Sequence, residues 1–221
     1  KSGQRFLPLS KSLQKTNGNG SGPELLINAN GPSLQAEAYK HLRTSILLST
    51  PGRSPKSLLV TSSVPSEGKT TTVVNTATVL AQTGASVLVI DADMRRPRLH
   101  QVFGLPNTTG LSAILSSDVA EADILSMIKQ HGDSNVYLLS SGMIPPNPAE
   151  LLGSSQMNRL LEIVGKRFTH IVIDSPPIAS FTDGVLISLL VDGVILVVHG
   201  GKTSRQVARR SSSSSSRMTT S

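Results

Sequence analysis

Eight consecutive residues, Ser63-Val64-Pro65-Ser66-Glu67-Gly68-Lys69-Thr70, restrict the fold of this chain more than any other stretch. They follow Lys56-Ser57-Leu58-Leu59-Val60-Thr61-Ser62, a short apolar and β-branched run that reads as a buried strand. They precede Thr71 to Ala81, which contains no Gly or Pro and is closed by Gly84, as a helix would be. A loop between a strand and a helix start aims backbone N–H groups and the positive end of the helix at an anion. Gly68 lets the backbone approach phosphate oxygens where a Cβ would intrude. Lys69 supplies a point charge for β- and γ-phosphates, and the Thr70 hydroxyl suits Mg²⁺. The loop departs from the common pattern only at its first position, where Ser63 stands in place of Gly. The expectation is a nucleotide-binding loop with Ser66, Glu67, Gly68, Lys69, Thr70 and Thr71 around the phosphates.

Such a loop requires a parallel sheet, and the rest of the chain supplies one. Ser86 to Ile90, Val136 to Ser140, His170 to Asp174 and Asp192 to Val198 read as four further strands separated by helical stretches. With only 3% aromatic residues and no Trp, the core must be Val, Ile, Leu and Ala, which suits a sheet covered on both faces. The fold class is therefore α/β, a P-loop NTPase with a doubly wound, mainly parallel sheet flanked by helices. Ligands in such sheets lie beyond the carboxyl ends of strands. Asp91 and Asp93 end the second strand and Asp174 ends the fourth, so all three are expected beside the phosphate loop. Arg95, Arg96 and Arg98 follow Asp93 directly. Two carboxylates and three guanidinium groups at one strand end suit metal, phosphate and an acceptor hydroxyl better than packing. Asp183 is expected to cap the helix that it opens.

Other features bound the organisation. Residues 1–33, rich in Gly, Ser, Asn and Lys, read as a flexible basic linker; 34–210 form the catalytic-type domain; 211–221, opening with six serines, read as a disordered tail. Ser33 to Leu48 reads as an amphipathic helix with Leu34, Ala38, Leu42 and Ile46 along its apolar line. Ala120 to Lys129 and Ser155 to Lys166 read as helices, and Thr203 starts another. Net charge is +6 over residues 1–56, −4 over 57–201 and +5 over 202–221, so basic flanks enclose a mildly acidic core. No aromatic residues interleave with the basic ones to stack bases, which argues against nucleic acid, while an anionic membrane leaflet suits the flanks. No stretch reaches the roughly 20 apolar residues of a membrane span. The absence of Cys excludes disulfides and thiolate metal sites, and the five His residues show no ligand spacing. The chain carries neither an initiator Met nor a signal peptide, as an internal or processed piece would.

Three segments together carry a family resemblance. Ser62 to Thr70, Val89-Ile90-Asp91-Ala92-Asp93-Met94-Arg95-Arg96-Pro97 and Ile173-Asp174-Ser175-Pro176-Pro177 resemble, in order and spacing, the Walker A, A′ and B motifs of the bacterial tyrosine kinases. These are cytoplasmic P-loop autokinases of capsular and exopolysaccharide export systems. Pro146-Asn147-Pro148 through Leu152 is similar to the loop of that family. The resemblance implies that Lys69 and Thr70 hold ATP and Mg²⁺ and that Asp174 is the Walker-B metal carboxylate. It implies that Asp91 and Asp93 assist the metal and activate a tyrosine hydroxyl, with Lys69 completing the catalytic set. Glu37, Lys40 and Arg43 resemble the Glu-x-x-Arg-x-x-Arg helix through which subunits meet in a homo-oligomeric ring, with Lys40 replacing the first Arg. It further implies a membrane-spanning activator segment or subunit, a tyrosine-bearing protein substrate, and a place on the cytoplasmic side of the inner membrane. The chain departs from the family in lacking a last strand and a tyrosine-rich tail, since its only tyrosines are Tyr39 and Tyr137. The acceptor then lies on another protein, or this chain end is truncated or altered. Two other readings share the fold. One is a partitioning or division-positioning ATPase, disfavoured by Val64 where those proteins carry an extra lysine; the other is a regulatory module that binds nucleotide without catalysis.

Overall fold

The computed structural model describes residues 34–50, 52–204, 206–209 and 211. The linker expected over 1–33 and all but Ser211 of the expected tail lie outside them; Ser211 itself is helical and buried. A six-stranded sheet runs in the order β3-β4-β2-β5-β1-β6. β1 (Ser57–Ser62), β2 (Val87–Asp91), β4 (Val136–Leu139), β5 (His170–Asp174) and β6 (Gly193–Val197) are mutually parallel.

Strict alternation divides the side chains of the central strands between two cores. Val87, Val89, Val136, Leu138, Leu58, Val60 and Val172 face one side, against α2 (Lys69–Ala81) and α3 (Leu99–Val102). Leu88, Ile90, Leu139, Leu59, Ile171 and Ile173 face the other, against α4 (Leu111–Ser116), α6 (Pro148–Leu152) and α7 (Ser155–Gly165). Burial of both faces explains why β2 and β5 read as unbroken apolar runs. The register pairs Asp91 with Asp174, so the two strand ends finish level with each other.

The structure departs from the sequence expectations in several places. The stretch expected to be one helix to Lys129 is α5 (Glu121–Met127) followed by β3 (Lys129–Gln130), which pairs antiparallel with β4. Two exposed polar residues carry no period, so only the neighbouring strand reveals that edge. α1 (Leu34–Leu47) forms, but on a different face from the one expected: Ala36 and Ile46 are buried, with Tyr39, Leu42 and Arg43 half-buried, while Leu34 is 90% exposed and Ala38 is exposed. A line drawn every fourth residue drifts about 40° per step on a helix of 3.6 residues per turn, so it leaves the core side within three steps. The last helical residues are 206–209 and 211, later than the expected start at Thr203. α8 (Asp183–Ser188) forms, but Asp183 is its first residue rather than a capping one, and its carboxylate is engaged elsewhere.

Candidate active site

The loop between β1 and α2 has the geometry that its composition demands. Gly68 has φ +91° and Ser66 φ +65°, the latter the only non-glycine left-handed residue among those described. These two turns bring the chain back so that α2 starts at Lys69, two residues before Thr71, where the sequence placed it. Glu67 braces the loop rather than facing the phosphates. Its carboxylate accepts from the Val64 N–H at 2.8 Å, the His199 N–H at 3.0 Å and the Thr203 hydroxyl. Burial works against its charge, but these bonds outweigh it and hold the carboxyl below its ordinary range. The loop is thereby tied to the segment after β6, a link that no local motif announces. Only the backbone of Glu67 remains for an anion.

A cavity of about 640 Å³ opens over the loop, lined by Ser66, Gly68, Lys69, Thr70, Thr71 and Asp93, with arginines and the Pro176-Pro177 turn opposite. Lys69 Nζ donates to Asp174 Oδ1 at 2.7 Å and to Asp93 Oδ2 at 3.4 Å. Thr70 Oγ1 donates to Asp174 Oδ2 at 3.2 Å. Burial opposes the Lys69 charge, yet Asp174, Asp93 and Asp91 together hold its ammonium above the ordinary lysine value. Desolvation pushes the Asp174 carboxyl up while the Lys69 contact opposes that shift; a 2.7 Å bond from an ammonium identifies an ionised pair.

Asp91 lies behind this triad. It is fully buried, and its Oδ2 accepts from the Arg98 and Leu99 N–H groups at 3.2 and 3.1 Å. Its Oδ1 has no hydrogen-bond partner. Burial, followed by repulsion from Asp174, pushes the Asp91 carboxyl up to about 8. Among the described residues no three His, Asp or Glu side chains gather tightly enough to hold a metal by themselves. That is the usual position for Mg²⁺, which takes one or two carboxylates and completes its shell with phosphate oxygens and water.

Arg95 also lines the cavity, where the sequence pointed only to positive charge at the end of β2. Its Nε and Nη2 donate to Asp183 Oδ2 and Oδ1, both at 3.0 Å, and its guanidinium carbon lies 4.2 Å from the centre of the Phe181 ring. Phe181 and Asp183 were invisible as site residues because nothing local says that β5 lies beside β2. The expected subunit-contact residues divide: Lys40 Nζ donates to Glu37 at 2.7 Å on the exposed face of α1, whereas Arg43 Nη1 turns inward to the Val79 carbonyl of α2 at 3.0 Å.

A parallel sheet, a glycine-turned loop opening a helix, and a lysine and threonine bonded to a strand-end aspartate define a P-loop nucleotide-binding fold. Comparison with known proteins narrows that class. The AAA domain family matches residues 66–206. The chain is 36% identical over 199 residues to tyrosine-protein kinase YwqD of Bacillus subtilis (strain 168), covering 90% of this chain and 83% of the relative. It is 34% identical over 175 residues to tyrosine-protein kinase CpsD of Streptococcus agalactiae, covering 79% and 74%. The kinase domain of Escherichia coli tyrosine kinase ETK superposes with a TM-score of 0.82 at 29% identity, over 93% of this chain and 78% of that one. The chain belongs to the bacterial tyrosine-protein kinases.

Proposed function

We propose that this chain transfers the γ-phosphate of ATP to a tyrosine hydroxyl of a protein, and so regulates polysaccharide polymerisation and export. The observation that carries this reading is the convergence of Lys69, Thr70, Asp93 and Asp174, from three distant stretches, on one cavity. Lys69 neutralises β- and γ-phosphate charge, and the loop N–H groups orient the chain of phosphates. The donor set fits Mg²⁺: a threonine hydroxyl 3.2 Å from an Asp174 oxygen, and a buried Asp91 oxygen with no other partner, are hard ligands for a hard cation. Thr70, Asp174 and Asp91 hold that ion, which when bound offsets the charge gathered on the phosphate oxygens. In the transfer the phenolic oxygen forms a bond to the γ-phosphorus, the bond from phosphorus to the β,γ-bridging oxygen breaks, and ADP departs. Asp93, on the cavity wall, takes the phenolic proton.

The acceptor tyrosine comes from elsewhere than the described residues. Tyr39 is half-buried, burial holds its hydroxyl above the ordinary tyrosine value, and that hydroxyl bonds to Thr72. Tyr137 packs edge-on against Phe168 in the sheet. A homo-oligomer meets through Glu37 and Lys40 on α1, the acceptor tyrosine is carried by another protein, and a membrane-spanning activator recruits the chain to the inner face of the membrane. The basic flanks suit that surface, and among the described residues no helix is long and apolar enough to cross it.

Incubation with γ-labelled ATP, Mg²⁺ and a peptide containing several tyrosines tests the proposal. Label on tyrosine that disappears in Lys69→Met is the expected result. Free phosphate without labelled peptide identifies an ATPase instead, and nucleotide binding with neither product identifies a regulatory module.

A further inference from the structure

Phe181 is out of keeping with the other aromatic side chains among the described residues. Phe103 is 5% exposed and packs on His131, and Tyr137 and Phe168 pair with each other. Phe181 is 38% exposed and is the one aromatic ring lining the cavity among the described residues. A phenylalanine left open to water in so aromatic-poor a chain contributes little to folding.

Its surroundings nevertheless fix it. Arg95 stacks on the ring, with the guanidinium carbon 4.2 Å from the ring centre. The same guanidinium is held in plane by two 3.0 Å bonds to Asp183, which has no exposed surface. Burying a carboxylate completely is costly and is offset only by such two-pronged pairing. A buried carboxylate therefore orients a half-buried arginine that in turn orients one exposed ring.

The ring also lines the same cavity as the phosphate loop. Lys69, Thr70 and Asp174 mark where the γ-phosphate comes to rest. Arg95 is two residues beyond Asp93, and Phe181 follows the Pro176-Pro177 turn at the end of β5. Both line the same cavity as Lys69 and Thr70 and both lie outside the phosphate loop, on the segments that follow β2 and β5.

We propose that the Phe181 ring is the platform on which the phenol ring of the acceptor stacks, making Phe181 a specificity-determining residue for tyrosine and Arg95 with Asp183 its positioning residues. The assignment rests on the kinase reading above and deepens it. A flat ring gains an offset stack on Phe181 with its hydroxyl directed at the γ-phosphate; a serine or threonine side chain gains nothing there and does not reach as far. Aromatic pairing of this kind supports discrimination of about five- to tenfold.

The test uses the full chain with a non-hydrolysable ATP analogue, Mg²⁺ and two peptides that differ only in Tyr or Ser at the acceptor position. Wild-type protein should bind the Tyr peptide about five- to tenfold more tightly, with saturation transfer between the Phe181 and peptide ring protons. Phe181→Leu should remove that preference while leaving affinity for the analogue within about twofold, and Phe181→Trp should restore it. With hydrolysable ATP, Phe181→Leu should raise KM for the Tyr peptide and lower kcat much less. Arg95→Lys, which keeps the charge but loses the planar fork, should fall between wild type and Phe181→Leu. The assignment is overturned if the Tyr peptide fails to bind, if it binds without touching Phe181, or if Phe181→Leu weakens the analogue and spares the peptide. Stacking and discrimination without any labelled tyrosine would sink the kinase reading and leave the platform standing.

Discussion

Two aspartates, Asp91 buried and Asp192 exposed, lie at opposite ends of the same sheet, and they behave in opposite ways. Asp192 precedes β6 at the amino ends of the strands. It accepts from the Ser57 N–H at 2.8 Å, the Lys56 N–H at 2.9 Å, the Ser57 hydroxyl at 3.0 Å and Arg53 at 3.2 Å. Desolvation opposes its charge, but these bonds outweigh it and hold its carboxyl below the ordinary range. Asp91, at the carboxyl ends, has one oxygen bonded to two N–H groups and the other bonded to nothing, and its carboxyl rises to about 8. A carboxylate whose hydrogen bonds are complete stabilises the fold. One buried beside two others without a full set costs stability unless a cation arrives.

The sharpest way to break this contrast is Asp91→Asn. The amide oxygen still accepts from Arg98 and Leu99, so the fold should persist, while phosphoryl transfer should fall by at least about 100-fold. Unchanged transfer would remove Asp91 from the metal and catalytic set. The pH dependence carries the opposite sign from the usual acid unfolding. The folded protein holds a proton on Asp91 that the unfolded chain releases near 3.8, so in the absence of metal this group lowers stability progressively from about pH 4 to about pH 8. Urea midpoints across that range should decline less in Asp91→Asn than in wild type.

At the other end, Asp192→Ala should cost about 1 kcal/mol at pH 7, the net worth of hydrogen bonds whose exposed donors then turn to water, with kcat unaltered. Its folded carboxyl is lowered, so that stabilisation is present above the unfolded value and fades as pH falls through the folded one. Wild type and variant melting curves should converge in acid. Glu67→Gln tests the brace on the phosphate loop. A loss of about 1 kcal/mol at neutral pH is expected, again vanishing in acid because the Glu67 carboxyl is lowered, and a hydrogen-exchange rise at His199 should accompany it. The smallest effect belongs to Lys40→Ala. Lys40–Glu37 is an exposed pair screened by solvent, so the melting temperature should hardly move. Sedimentation velocity should instead show loss of the oligomer, and unaltered assembly would remove Lys40 from the subunit contact.

Much of this molecule could be read from its residues because the informative patterns are local. Unbroken apolar runs ending in Asp91 and Asp174 gave two strands to within a residue of their observed ends, though not that the two lie side by side. The stretch without Gly or Pro from Thr71 marked α2 to within two residues of its start at Lys69. Reading failed where a residue's role depends on a distant partner. Asp183 looked like a helix cap, since aspartates at helix starts commonly are, yet it is the buried counter-ion of Arg95, 88 residues earlier. Glu67 looked like part of the phosphate shell but turns away to His199, 132 residues later. β3 is too short to carry a period and exists through its pairing with β4.

The sequence by itself determined that this is a P-loop α/β chain with a phosphate-type loop and charged side chains gathered at strand carboxyl ends, because backbone period, glycine placement and strand-end charge are properties of neighbouring residues. Only the tertiary structure decided which carboxylates are saturated and which are left wanting, and which ring faces the cavity. Those outcomes depend on burial and on hydrogen bonds made between strands that become neighbours only when the chain has folded.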